Sequence, residues 1–83
     1  MNNKEVMSRL QSVFDRIFLE KVEISAELSA ADVEEWDSLT HITLLVAIEK
    51  AFSIRFRVGE VETAKNIGQF VSLIQSRLVE KAA

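Results

Sequence analysis

The chain has 83 residues, 48% hydrophobic and 28% charged, with a net charge of −3 and no cysteine. This length favours one small domain, and the lack of cysteine excludes disulfides, thiolate metal sites and a cysteine nucleophile. Without a signal-like segment or an apolar run of ~18 residues, a cytoplasmic protein with no membrane insertion is predicted. The segment from Glu20 to Asp37, both included, contains seven acidic residues and only one basic residue, Lys21. This imbalance disfavours nucleic-acid binding and indicates a basic protein partner.

The first predicted element is a helix from Lys4 to about Leu19. Its apolar side chains recur at helical spacing along one side: Val6, Leu10, Val13, Phe14, Ile17 and Phe18. Acids and bases are about equally frequent on the other side, whereas a helix lying on a membrane surface needs a basic polar face. The pattern therefore predicts a helix that faces the core.

The stretch from Glu20 to Asp37 has no sustained helical pattern and is predicted to be a long connection packed across the helices. Ser29 and Asp32 have the spacing of a capping box and predict a single turn between them. Trp36 is the only tryptophan. It is expected to be a partly buried plug that fixes this connection beside Ser38, and a direct contact with a partner is the alternative.

The central helix is predicted from Ser38 to Ala51 or Phe52, with Asp37 or Ser38 as its N-cap. A core stripe is expected on one side, and it consists of Leu39, Ile42, Leu45, Val46 and Phe52. Other apolar residues cover much of the circumference, which indicates burial on several sides or an exposed apolar strip. Ser38 is expected to be exposed near unpaired N–H groups at the positive end of the helix dipole, where a phosphate ester is well tolerated.

Residues 53–58 alternate apolar and polar side chains, a pattern typical of a strand. The only candidate partner strand is Lys21 to Ile24, so we expect an extended segment that buries alternate side chains and stops at Gly59. A helical turn from Glu60 to Ala64 is expected to follow.

The last helix is predicted from Ile67 to about Val79, with Asn66 as N-cap and Gln69 as its reciprocal partner. The elements together predict an all-α domain spanning residues 1–83. It is expected to be a four-helix bundle with three main helices, one short extra helix and a long first loop.

The residues of this chain do not readily provide a catalytic centre. His41, the only histidine, follows Ser38 by three positions and could share a helix face with it. A serine nucleophile would still need an orienting carboxylate and an oxyanion hole, and the Gly-x-Ser-x-Gly elbow is absent. One histidine among scattered carboxylates also lacks zinc-ligand spacing. His41 is therefore expected to be a surface residue beside the serine, and Ser38 is better interpreted as an attachment point than as a nucleophile.

The run Asp37-Ser38-Leu39, opening an apolar helix that carries Glu49 and Phe52, resembles the modification site of acyl carrier proteins. The resemblance covers nearly the whole chain. It implies that a separate Mg²⁺-dependent phosphopantetheinyl transferase attaches 4′-phosphopantetheine to Ser38. The thiol of that arm would carry acyl groups as thioesters between acyl-loading and acyl-using enzymes, so the chain would be a monomeric carrier and not an enzyme. Partner contacts are expected at Trp36, Asp37, Leu39, Ile42 and Glu49.

Within this resemblance, Asp37 has two open interpretations: it helps the transferase to position metal or serine, or it caps the helix. The chain also departs from the carriers of fatty-acid synthesis, which have acids where Thr40 and Thr43 stand here. Lys50 and Ala51 follow Glu49, the one acid that keeps the pattern. These departures favour a specialised stand-alone carrier. The alternatives are an unmodified adaptor that binds partners through the second helix and an enzyme that uses Ser38 with His41.

Overall fold

The computed structural model describes residues 2–57, 59–64 and 66–82. Its elements, in chain order, are α1 (Asn3–Ile17), a 3₁₀ turn (Ala30–Asp32), α2 (Ser38–Phe52), α3 (Glu60–Thr63) and α4 (Ile67–Ala82). The predicted all-α class, the three main helices and the long first loop are confirmed. The term four-helix bundle is corrected, because α3 has only four residues and the bundle is built from three long helices.

The helix α1 begins after Asn2, whose side-chain oxygen accepts a hydrogen bond from the N–H of Glu5 at 2.8 Å. The helix ends at Ile17, about two residues before the predicted end, and Phe18 follows as its C-cap. Its predicted core face is confirmed by five buried side chains: Val6, Leu10, Val13, Phe14 and Phe18. α1 packs against both α2 and α4.

The core is one apolar cluster to which every long helix contributes. Its members outside α1 are Trp36, Leu44, Ile48, Phe52, Ile54, Ile67, Phe70, Val71 and Ile74. No charged or polar residue of the described chain is buried within it. Burial of this apolar area is the main term that stabilises so small a domain.

The predicted core stripe of α2 is wrong in part. Leu44 and Ile48 are fully buried, whereas Leu39, Ile42 and Val46 are 75%, 60% and 45% exposed. Apolar side chains surround most of this helix, so periodicity alone could not decide which of them face α1 and α4. The chain thus leaves an exposed row, which we call the apolar strip: Leu39, Ile42 and Val46.

The long connection between α1 and α2 is held by side chains rather than by regular structure. Gln11 of α1 donates to the carbonyl of Val22 at 2.7 Å and accepts from the N–H of Ile24 at 3.0 Å. Near its other end, both carboxylate oxygens of Glu35 accept backbone N–H bonds, which come from residues 19 and 20 at 3.2 Å each. The Gln11 bonds fix the connection against α1, and the Glu35 bonds join the two ends of the connection.

The same connection also satisfies the start of α4. The N–H groups of Ile67 and Gly68 donate to the carbonyls of Leu28 and Ala26, both at 2.9 Å. A Cβ atom at position 68 would lie 3.2 Å from the Ala26 oxygen, so glycine permits the close approach. Two otherwise unpaired donors of a helix N-terminus are thereby used to anchor the loop.

The predicted turn between Ser29 and Asp32 is confirmed as the 3₁₀ turn. The N–H and hydroxyl of Ser29 both donate to the Asp32 carboxylate, at 3.0 and 3.2 Å. This is the carboxylate half of a capping box.

The segment after α2 is irregular in residues 54–57, so a strand is not formed there. The expected alternation of burial is nevertheless present, because Ile54 is buried and Phe56 half-buried while Arg55 and Arg57 are exposed. Val58, the last member of the predicted pattern, lies outside the described residues.

The predicted short helix is confirmed as α3, which follows Gly59. α4 begins where expected, with Asn66 Oδ1 accepting from the N–H of Gln69 at 2.9 Å, and it runs three residues beyond the predicted end. Arg77 of α4 pairs with Glu60 of α3 at 3.5 Å. Within the described ranges, no helix has the length and apolar character needed to cross a bilayer.

Candidate functional site

Ser38 is the first residue of α2, and its side chain is exposed. Within the described part of the chain its hydroxyl has no hydrogen-bond partner. The first N–H groups of a helix lack intrahelical acceptors and form the positive end of its dipole. An exposed hydroxyl at this position fits a phosphate ester, because the local field favours the negative charge that the ester would bring.

Asp37 caps the helix that presents this serine. Its Oδ1 accepts from the N–H of Thr40 at 2.9 Å, and its carbonyl accepts from the N–H of His41 at 2.8 Å. The hydrogen bond from Thr40 is the main cause that lowers the pKa of the Asp37 carboxyl below its usual value. Capping is therefore observed directly, and the alternative role in positioning a metal or the serine stays a prediction.

Trp36 lies in the core, 6% exposed, with its ring edge-on to Phe14 at 5.4 Å between centroids. Its indole Nε1–H donates to Nδ1 of His41 at 3.0 Å. The expected plug beside Ser38 is confirmed. The alternative, in which Trp36 contacts partners directly, is corrected because almost no surface of the ring is available to a partner.

The expectation that His41 is a surface residue beside the serine is wrong. The ring is half-buried, stacked on Trp36 at 6.1 Å and tilted against Phe70 at 5.9 Å. Its Nδ1 is used by the indole, and no hydrogen bond joins it to Ser38 among the described residues. The Trp36–His41 bond is the main feature that sequence reasoning missed, because a spacing of five residues across a helix start is not a recognised pairing signal.

The apolar strip runs along the solvent side of α2 directly after Ser38. Its spacing of three and then four residues places Leu39, Ile42 and Val46 on one face, and the exposed Lys50 continues it by another turn. A contiguous exposed apolar row on a small domain is a candidate surface for partners. The strip thus exposes two of the residues predicted to bind partners, Leu39 and Ile42, and Asp37 just before it is exposed as well.

Glu49, another predicted partner contact, is half-buried and has a structural role. Its Oε2 accepts from the N–H of Phe56 at 2.9 Å, and its carbonyl accepts from the N–H of Ile54 at 3.0 Å. These bonds anchor the segment after α2. A contact between Glu49 and partners stays a prediction.

The charge changes sign along α2. Acidic residues precede Ser38, whereas an open groove beyond the apolar strip is lined by the cations Lys50, Arg55 and Lys81, as well as by Glu49 and the ion-paired Arg77 and Glu80. Within the described part of the chain, these three cations form no ion pair. No group of three potential metal ligands occurs among the described residues.

The chain was compared with known proteins, and no protein-family model matches it. It is 29% identical to an acyl carrier protein of Amoebophilus asiaticus over 69 residues, and these residues cover 83% of this chain and 86% of the relative. It is 27% identical to an acyl carrier protein of Guillardia theta over 79 residues, and these residues cover 94% of this chain and 98% of the relative.

A solved structure is also similar. The solution structure of a holo acyl carrier protein from Geobacter metallireducens matches 96% of this chain and 88% of its own, with 31% identity and a TM-score of 0.77. The fold is that of a small carrier domain. The chain belongs to the acyl carrier protein family.

Proposed function

We propose that this chain is a stand-alone carrier whose Ser38 is modified with 4′-phosphopantetheine by a separate Mg²⁺-dependent transferase. The observation that carries the proposal is the exposed Ser38 hydroxyl, without a partner in the described structure, on the first turn of a capped helix. In the transfer, the serine oxygen forms a bond to the phosphorus of coenzyme A that carries the pantetheine arm. The phosphorus–oxygen bond to 3′,5′-ADP breaks, and the serine proton is released.

The attached arm would supply a thiol, which this cysteine-free chain lacks, for acyl groups held as thioesters. The chain's own residues bind and orient but perform no catalysis. Asp37 keeps the first turn of α2 closed beneath the serine, and Leu39 and Ile42 offer the apolar contacts by which the transferase and the acyl-handling enzymes dock. The protein would act as a cytoplasmic monomer.

The pathway is proposed to be specialised rather than general fatty-acid synthesis. Thr43 and Lys50 are exposed along the partner face of α2, where acids are usual in carriers of fatty-acid synthesis, and Arg55 extends the positive charge. Complementary charge mainly sets association rate and partner choice. A partner evolved for an acidic helix would therefore associate slowly with this one, which supports a dedicated set of enzymes.

The test is transfer in vitro. The chain is incubated with coenzyme A, Mg²⁺ and a broad-specificity phosphopantetheinyl transferase, and its intact mass is measured. We expect a gain of one phosphopantetheine group in the wild type and in Ser25→Ala, a control at another exposed serine, but none in Ser38→Ala. No gain in the wild type, or a gain that survives in Ser38→Ala, would contradict the proposal.

One observation also favours a second candidate, an unmodified adaptor. The apolar strip is exposed whether or not Ser38 is modified, and it would suit a helix-binding partner by itself. The adaptor predicts that Ser38→Ala keeps function in the native cell while Ile42→Glu abolishes it. The carrier predicts that both substitutions abolish function.

A further inference from the structure

We propose that His41 is a positioning residue for the modification of Ser38, acting through its hydrogen bond with Trp36. The inference rests on the proposed function and adds a residue to it. Trp36 precedes the serine by two positions and His41 follows it by three. Their side-chain bond therefore closes the chain around the serine, and we call this pair the Trp36–His41 clamp.

The clamp reinforces two hydrogen bonds that Asp37 accepts across the same serine, one with its side chain and one with its backbone carbonyl. Asp37 accepts from the N–H of Thr40 at 2.9 Å and from the N–H of His41 at 2.8 Å, while the clamp joins Nε1 and Nδ1 at 3.0 Å. The two Asp37 bonds close the first turn of α2. The clamp adds a side-chain bond between that turn and the connection that leads into it.

The chemistry of the two rings makes the bond directional. An indole N–H can only donate, so Nδ1 of His41 must be the unprotonated nitrogen and the proton of the neutral ring lies on Nε2. Trp36 is buried, and its Nε1–H would lose its protein acceptor if Nδ1 were removed. Because an unpaired polar group in a buried place is unfavourable, the indole would then shift to find water or another acceptor.

The clamp links the exposed serine to the rigid core. Trp36 packs edge-on to Phe14 at 5.4 Å and lies 6.2 Å from both Phe18 and Phe70. A shift of the indole would loosen the chain just before Ser38 without changing the apolar strip. Docking of the transferase would be retained, but the serine would occupy its reactive position for less of the time. The expected signature is a lower kcat with a nearly unchanged KM.

Two substitutions at position 41 separate this role from simple packing. The amide oxygen of His41→Asn can take the place of Nδ1 and accept from the indole, whereas His41→Phe keeps an aromatic ring but has no acceptor. In the transferase assay we expect the kcat of His41→Phe to be about tenfold below that of wild type, with KM changed by no more than about twofold. The kcat of His41→Asn should stay within about threefold of wild type. Trp36→Phe should match His41→Phe, and the double variant should lose no more than either.

A second readout does not depend on modification. Trp36 is the only tryptophan, so its fluorescence reports the clamp in the unmodified chain. Acrylamide should quench it more strongly in His41→Phe than in wild type or His41→Asn. An unchanged kcat in His41→Phe, or equal losses in the Phe and Asn variants, would overturn the positioning role. If the wild type is never modified, the proposed function fails and the positioning role with it; normal modification of all the variants overturns the positioning role alone.

Discussion

Asp37 determines how Ser38 is presented, because its carboxylate caps the helix that begins at the serine. The hydrogen bond from Thr40 lowers the pKa of this carboxyl in the folded chain. A lowered folded pKa means that the carboxylate adds stability above the unfolded pKa, about 3.9, and that this stability is lost as the pH falls through the folded value.

The first prediction therefore concerns pH. Asp37→Ala should unfold at a lower urea concentration than wild type at pH 7, and the difference should narrow as the pH falls below about 4. Glu27→Ala, at an exposed acid outside the helices, serves as control and should show little difference at either pH. If the difference in the urea concentration of unfolding between wild type and Asp37→Ala stays constant down to pH 2, the carboxylate charge has no part in the cap.

Ser53 carries a local strain that can be relieved. It follows α2 in the left-handed region at φ 54°, a conformation that costs side-chain-bearing residues about 1 kcal/mol or more. We expect Ser53→Gly to raise the free energy of unfolding by up to about 1 kcal/mol, measured by urea unfolding. Ser53→Ala, which keeps a Cβ atom, should not show this gain. Equal stabilities of the Gly and Ala variants would contradict the explanation.

One face of α2 is buried and stabilises the fold, whereas the opposite, exposed face is the one proposed to contact partners. Leu44 is fully buried while Leu39 is 75% exposed. Leu44→Ala should lower the free energy of unfolding by about 2–5 kcal/mol, whereas Leu39→Ala should change it by no more than about 0.5 kcal/mol. The reverse order in thermal or urea unfolding would show that the core stripe expected from the sequence is the correct one after all.

The bounds of α2 could be predicted from the sequence but its orientation could not. Asp37 is a strong local signal for a helix start, and a capping bond depends only on residues three positions apart. Which apolar face is buried depends instead on α1 and α4, and no local pattern contains that information. The Trp36–His41 clamp escaped prediction for the same reason, since the indole is placed by its packing on Phe14.

The segment after α2 shows a related limit. Alternating polarity predicted extended backbone with alternate burial, and the burial was right for Ile54. Glu49 was expected only to contact partners, yet its carboxylate accepts a hydrogen bond from the N–H of Phe56. Alternation reports which side chains are buried, and it forms a strand only when a second strand supplies the hydrogen bonds.

The long first connection depends on Gln11, which bonds to Val22 and Ile24 at once. Gln11→Ala should lower the free energy of unfolding by about 1–3 kcal/mol and should increase amide exchange at Ile24. Gln11→Glu keeps an acceptor for the Ile24 N–H but loses the donor to the Val22 carbonyl, so protection of that amide should survive. Unchanged exchange in the alanine variant would show that packing alone holds the connection.

Over the whole molecule, charge is divided between the two ends of α2. Acids precede Ser38, and beyond the apolar strip lie Lys50, Arg55 and Lys81, which form no ion pair within the described part of the chain although Glu49 and Glu80 line the same groove. Lys50 and Lys81 lie in the last turns of their helices, where the dipole favours cations, but Arg55 lies beyond the end of α2. The positive end is therefore more than a helix-capping effect, and it supports the proposal of a dedicated set of partners.

This division predicts a gain of function by charge reversal. The phosphopantetheinylated wild type should support fatty-acid elongation by a general synthase poorly, and Lys50→Glu with Arg55→Glu should raise the rate at low salt. Lys4→Glu with Arg9→Glu, an equal change of charge on exposed residues of α1, should leave it unchanged. Elongation by the wild type at the rate of an authentic synthase carrier would contradict the specialised role.

The proposed modification of Ser38 can be tested in the native cells by measuring the mass of the purified protein and then fragmenting it to locate any added group. We expect a species heavier by one phosphopantetheine group, bare or acylated, with the added mass on the peptide that contains Ser38. A protein recovered without modification from cells with an active phosphopantetheinyl transferase, or modified at another residue, would contradict the proposal.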